Sequence, residues 1–151
     1  MITYQVEQWP ELYKEVEPLW VPHYEEVGQN KDKMKLNVDI EKLNRFHALG
    51  QMHIVTARDS SRLIGYHMSI VDTLLHYKDV LAGVSDLYWI MQEYRSAKVG
   101  VGLFQAVEET LRQRGVKVVY DATKLYQDHD KLFTGLGYTA IERRYSKWIG
   151  G

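Results

Sequence analysis

The chain has 151 residues, a 45% apolar share, 26% charged residues and a formal net charge of −1, which is the profile of one ordinary globular domain spanning 1–151. Such an even balance provides no global field for nucleic acid or an anionic membrane, and the absence of cysteine removes disulfides, thiol nucleophiles and thiolate metal sites. MITYQVEQW lacks a cationic segment running into an apolar one, and no apolar run nears transmembrane length, so a cytoplasmic protein is expected.

Ile2, Tyr4 and Val6 alternate with polar residues and predict a short first strand. From Pro10 onward Leu12, Val16, Leu19 and Trp20 recur at helical spacing, with Pro18 and Pro22 predicting a kink or split. QNKDKMKLNVD is polar and charged, the candidate mobile loop. Asp39 can cap a second helix carrying Ile40, Leu43, Phe46 and Leu49 and stopped by Gly50. The period then changes to two: MHIVTARDSSRLIGYHMSIV predicts a hairpin turning at Arg58 to Arg62. A strand lies within Ala82 to Met91 and another within Val116 to Ala122. Between them, Leu103, Phe104, Val107 and Leu111 mark a helix with Gly115 as its C-terminal cap. Strand–helix–strand in this order requires a crossover and a parallel pair. A short helix around Asp130 to Leu136 and a strand from Tyr138 to Trp148 complete an α/β chain on one mixed sheet.

The turn EYRSAKVGVG between that strand and the crossover helix is the first candidate site. Backbone N–H groups at a helix N-terminus lack intrahelical partners and suit an anion. Gly100 leaves the backbone approachable, and Arg95 and Lys98 add positive charge. A packing turn with incidental basic residues fits the spacing equally well. Two other phosphate motifs are absent: no GxxxxGK[ST] occurs, and the dinucleotide pattern fails at Gln105.

Strand, IMQEYRSAKVG, helix, then strand resembles the coenzyme A turn of the GNAT family of N-acetyltransferases, with Arg95 and Gly100 at motif positions. LIGYHMSI is similar to that family's third strand and KLFTGLGY to its late signature. HYKDVLAGVSDLYWIMQEYRS and ERRYSKWIG resemble more narrowly the GNAT-like proteins of tailed bacteriophages, which would place the chain in a host cytoplasm. The resemblance implies a twisted, mostly antiparallel mixed sheet of six to seven strands with about four helices. It implies acetyl-coenzyme A as co-substrate and a small-molecule or peptide amine as acceptor. A homodimer is allowed but not specified.

The resemblance also assigns roles. Coenzyme pyrophosphate is expected on backbone amides of Ser96, Ala97, Lys98, Val99, Gly100 and Val101, flanked by Arg95 and the Lys98 side chain. An oxyanion donor is expected at the amide of Ile90 or Met91. Lys98 stands where the family carries a glycine, and Phe133 where many members carry a tyrosine that protonates the departing thiolate. Phe133 is therefore expected to pack against coenzyme or core. Asp86, where relatives place an acid, is the candidate general base, acting through water or on an amine whose pKa burial has lowered. A strand-end cap or ion pair is its structural alternative. Tyr126 and His129 are candidate replacements for the missing tyrosine, and His76 to Lys78 could line an acceptor pocket or form a solvated tip. No HxxxH or HxxH pair exists, so no metal is expected. The competing function is a non-catalytic protein on the same fold that binds a host or virion protein, which Lys98 and Phe133 favour.

Overall fold

The computed structural model describes residues 1–151. The chain runs β1 (Ile2–Glu7), α1 (Trp9–Val16), a 3-10 turn (Glu17–Leu19), α2 (Trp20–Val27), α3 (Ile40–Ala48), β2 (Met52–Asp59), β3 (Arg62–Leu74) and β4 (Tyr77–Ile90). A second 3-10 turn (Gln92–Tyr94), α4 (Ala97–Gln113), β5 (Val118–Tyr120) and α5 (Asp130–Gly135) follow. The strands form one sheet in the order β1-β2-β3-β4-β5. Neighbours are antiparallel except β4 and β5, which pair in parallel through the α4 crossover.

Local chemistry accounts for the element ends. Pro18 sits in the 3-10 turn that divides one helical run into α1 and α2, so the two act as one bent body and the sheet is flanked by four helical bodies. The Asp39 carboxylate accepts from the Lys42 amide at 2.9 Å and starts α3. Gly115, at φ +87°, ends α4 in the conformation that glycine reaches without strain.

The sheet has five strands rather than six to seven. The missing one is the expected strand from Tyr138 to Trp148, which is irregular and, from Thr139 onward, exposed. A strand needs an edge that accepts it, and β5 offers only three residues.

Both sheet faces are covered, which explains why β2 and the first half of β3 are buried almost without interruption. Trp9, Leu12 and Val16 of α1 pack with Ile54, Tyr66, Met68 and Trp89 on one face. Leu103, Val107 and Leu111 of α4 pack with Val55, Ala57, Ile64 and Val71 on the other. At the start of α4 this packing is very close: a Cβ on Gly102 would lie 2.4–2.6 Å from the Tyr4 ring, whose hydroxyl donates to the Val99 carbonyl. Gly102→Ala is therefore expected to cost about 1–3 kcal/mol through overpacking. In a Tyr4→Ala background the same change should turn neutral or stabilising, because alanine is the better helix former. Urea unfolding of the four chains checks the change of sign.

Candidate active site at the β4–α4 junction

Ser96 caps α4, its Oγ accepting from the Val99 amide at 3.3 Å, and the Gly100 amide bonds to the Ser96 carbonyl at 3.1 Å. Val101 lies inside the helical ladder. Of the expected pyrophosphate amides, those of Ser96, Ala97 and Lys98 have no partner, while Val99 and Gly100 do. The amides left free at this turn are thus those of its first three residues. Lys98 is exposed and enters no ion pair. A Cβ on Gly100 would meet only the Leu132 side chain, at 3.7 Å, so packing does not require glycine there.

The strand leading into this helix loses its partner midway. β4 pairs with β5 only from Ala82 to Val84, leaving Ser85 to Ile90 without main-chain contact on that side. Side chains span the gap instead. His67 Nε2 lies 2.8 Å from Asp121 Oδ1, the Tyr138 hydroxyl donates to Asp121 Oδ2, and the Tyr88 hydroxyl donates to the Ala122 carbonyl at 2.8 Å. Burial raises the Tyr88 phenol to about 12.

A bulge sits in the unpaired half of β4. Met68 opposes Leu87 and Ser69 opposes Ser85, so Asp86 is the extra residue. Leu87 and Trp89 belong to the face covered by α1 to α3, and the charge felt by Asp86 is Lys42 of α3. Tyr88 turns to the other face, in edge contact with Phe104 and His129. The bulge thus separates Asp86 from His129. The Asp86 carboxylate makes no hydrogen bond or ion pair, so the strand-end cap is not what the structure places there. Its surface is open to solvent, yet the surrounding protein raises its pKa, with Lys42 opposing.

Of the two expected oxyanion donors, the Met91 amide is taken by the Ile64 carbonyl at 2.8 Å. Antiparallel pairing alternates, so the Ile90 N–H and C=O point away from β3, toward the opening beside β5. The Ile90 carbonyl there accepts from Arg95 Nε at 2.8 Å.

Arg95 does not flank the helix N-terminus as expected. Its guanidinium pairs with Glu26 of α2 at 2.6 Å and lies over the Trp89 ring. Glu26 also accepts from Trp89 Nε1 at 2.9 Å and from the Gln127 side chain, joining α2, β4, the turn and the loop after β5. Burial opposes its ionisation, but hydrogen bonds from Arg95, Trp89 and Gln127 outweigh this and hold its pKa at about 2. Nothing in the spacing of Glu25-Glu26 marks this residue; only the fold brings it to Arg95.

The remaining candidates disperse. The Tyr126 hydroxyl donates to the Val27 carbonyl at 2.5 Å. His129 precedes α5, its amide bonded to Thr123 Oγ1. Phe133 is buried against Phe104 and Tyr138, in the core rather than on an open surface. His76 to Lys78 form the exposed β3–β4 tip, at the far end of β4 from Ile90, and cannot line a pocket beside it.

Two hollows lie elsewhere. One of about 510 Å³ opens beside Glu26 and Tyr126, toward Lys31 and Ser146. The other, about 350 Å³, lies between β2 and the C-terminal half of α4, around His53 and Arg114. Ser96, Ala97 and Lys98 at the start of α4 are exposed.

Two buried histidines make the fold acid-sensitive. His23 stacks on Trp89, and burial lowers its pKa to about 4; burial and Arg114 do the same to His53. The folded state therefore takes up fewer protons than the unfolded chain once pH falls below about 6.5. Stability should be complete above that value and decline as pH falls toward 4. Urea unfolding at a series of pH values checks this, and His53→Gln should flatten part of the slope.

No protein-family model matches the chain, and no curated protein matches it. Solved structures match over nearly its whole length. An aminoglycoside acetyltransferase from an uncultured soil metagenomic sample superposes with a TM-score of 0.72 at 12% identity, covering 99% of this chain and 95% of that one. The ribosomal-protein-alanine N-acetyltransferase of Brucella melitensis biovar Abortus matches at 0.71 and 14%, over 99% and 100% of the two chains. A predicted acetyltransferase of Clostridium acetobutylicum, solved with acetyl-CoA, matches at 0.71 and 12%, over 99% and 97%. The fold is that of the GNAT acetyltransferases. Identities this low carry the fold and not the acceptor. No helix of this GNAT-fold chain is long and apolar enough to cross a membrane.

Proposed function

We propose that the protein is an acetyl-coenzyme A-dependent N-acetyltransferase acting on a primary amine. The observation that carries this reading is the junction of β4 and α4, where free amides of Ser96 to Lys98 follow directly on a strand segment unpaired from β5. Those amides and the Lys98 ammonium would hold the pyrophosphate. Bound there, the coenzyme supplies the acetyl thioester. The Ile90 N–H would meet the acyl oxygen, and Asp86 would take the amine's proton through a water. A coenzyme A thiol of ordinary pKa, about 8.5, leaves tolerably without a strong acid. His129, in contact with Tyr88, would be better placed than Tyr126 to protonate it.

Acceptor and origin rest on likeness alone. A soil aminoglycoside acetyltransferase solved with sisomicin and the ribosomal-protein-alanine enzyme extend small amines and peptide amines, respectively, to this chain. A phage origin rests on the sequence motifs already quoted. Two contacts favour the non-catalytic reading: Arg95 is held by Glu26, and Tyr88 spans part of the β4–β5 opening.

Lys98→Glu tests the donor site, because folding and binding should respond in opposite directions. An acid in the first turn of α4 should leave the unliganded protein as stable or up to about 1 kcal/mol more stable. The same acid should weaken acetyl-coenzyme A binding by about tenfold or more. Calorimetric titration of both proteins reads this. Equal affinities would remove the pyrophosphate from this turn, and no binding by the natural chain would leave the non-catalytic reading standing.

A further inference from the structure

Arg95 engages all three nitrogens of its guanidinium. Nη1 and Nη2 meet the two Glu26 oxygens at 2.6 Å each, and Nε donates to the Ile90 carbonyl at 2.8 Å. A fork of this kind fixes direction as well as charge. The Glu26 end is itself held, since Trp89 Nε1 and the Gln127 side chain donate to the same carboxylate. Ile90 lies only five positions before Arg95, so the guanidinium folds back onto the strand that leads to it. It thereby braces the link between β4 and α4. The outward-facing Ile90 N–H stands at one end of that link, and the free amides of Ser96 to Lys98 stand at the other.

Ile90 needs such a brace because β5 pairs with β4 only as far as Val84, which leaves no strand on its outer side. On the inner side the Met91 amide donates to the Ile64 carbonyl at 2.8 Å. The Ile90–Met91 peptide is thus clamped twice, by Ile64 through its N–H and by Arg95 through its carbonyl. The N–H and C=O of one strand residue leave the same edge side by side. A free Ile90 carbonyl would therefore turn its lone pairs toward an oxyanion seated on the Ile90 N–H. Arg95 occupies that carbonyl and leaves the N–H open.

We infer that Arg95 and Glu26 are positioning residues for acyl transfer, holding the Ile90 N–H at a fixed direction and spacing from the amides of Ser96 to Lys98. The inference rests on the donor site proposed above. The contact that withholds Arg95 from the pyrophosphate is then the one that readies the strand end for the acyl oxygen. Glu26 acts through Arg95, whose long side chain would otherwise sample many rotamers and release the carbonyl.

Amide NMR of the full chain tests this, with acetyl-coenzyme A and coenzyme A as the two probes. In the natural chain acetyl-coenzyme A should move the Ile90 amide proton downfield, and coenzyme A, which has no acyl oxygen, should not. Arg95→Met, Glu26→Ala, and Arg95→Met combined with Glu26→Leu should each lose that acetyl-dependent shift. The amides of Ser96 to Lys98 should still respond to both probes. The combined variant strands no charge, so a loss there is not a loss of folding. Calorimetric affinity for acetyl-coenzyme A should stay within about threefold of the natural chain's, as expected where ground-state binding is kept. With an amine that proves to be a substrate, kcat should fall by about tenfold or more at unchanged KM for acetyl-coenzyme A. A merely structural pair would change Tm and leave the shift and kcat in place. A shift that survives in the combined variant, or that is absent from a natural chain that binds acetyl-coenzyme A, would overturn the inference and leave the donor site standing. An affinity loss of about tenfold or more would return Arg95 to the pyrophosphate and overturn it too. A natural chain that binds neither probe would overturn the donor site itself, and this inference with it.

Discussion

Glu26→Ala is expected to lower stability at neutral pH by about 2–3 kcal/mol, less than a fully buried ion pair would lose because the site is partly solvated. Arg95, Trp89 Nε1 and Gln127 all lose an acceptor in this change, and none has another acidic partner nearby. In a chain of this size that corresponds to a fall in Tm of about 2–4 °C per kcal/mol. Glu26→Gln separates charge from shape. The Glu26 pKa is about 2 in the folded protein, below its ordinary value. Its ionic contribution is therefore complete above about 4.5 and is lost as pH falls through 2. The gap between natural chain and Glu26→Gln should accordingly close as pH falls toward 2, measured by urea unfolding of both. A gap that stays constant would mean that packing, not charge, holds this junction. Arg95→Met combined with Glu26→Leu should recover much of the loss, since an apolar pair leaves no charge stranded. Coenzyme binding is the informative second readout, because the Arg95 guanidinium reaches the Ile90 carbonyl at the end of β4.

Most of the fold was legible because its signals are local. Asp39 as a cap, Pro18 as a break, Gly115 as a stop and the two-residue period of β2 and β3 each act within a few residues. The tail was misread for the complementary reason. Strand formation needs a partner edge, and three-residue β5 does not provide one. The site was legible as an address and not as an arrangement. Motif position brought Arg95 to the turn, whereas Glu26, 69 residues earlier, decides where its guanidinium goes. Gly102, two residues into the helix from Gly100, is held to glycine by the Tyr4 side chain, which no local signal shows. Simple alternation would put Asp86 and Tyr88 on one face of β4. The bulge at Asp86 undoes that, and a bulge leaves no trace in hydrophobic period. The pair His67 and Asp121 was equally invisible, since nothing in sequence says that two residues 54 apart close the gap beneath β4 and β5.

That same bulge makes Asp86 the site of the largest expected catalytic effect. Asp86→Asn keeps side-chain volume and should lower kcat by about 10²- to 10⁴-fold if the carboxylate is the base. Stability should change little, within about 0.5 kcal/mol, because the carboxylate has no hydrogen-bond or ion-pair partner to lose. Burial raises its pKa, so any acetyl transfer by the natural chain should fall with acid from a pH above the ordinary aspartate range of about 3.9, and Asp86→Asn should lack that limb. At alkaline pH the deficit should shrink, since more of the amine arrives without its proton. Steady-state kinetics across pH, with any amine that proves to be a substrate, reads all three. A variant with normal turnover at every pH would make the raised pKa incidental and leave the amine to solvent. A deficit that is constant across pH would instead assign Asp86 to holding the acceptor. Its place opposite Lys42, on the face away from α4, allows that role on the same geometry.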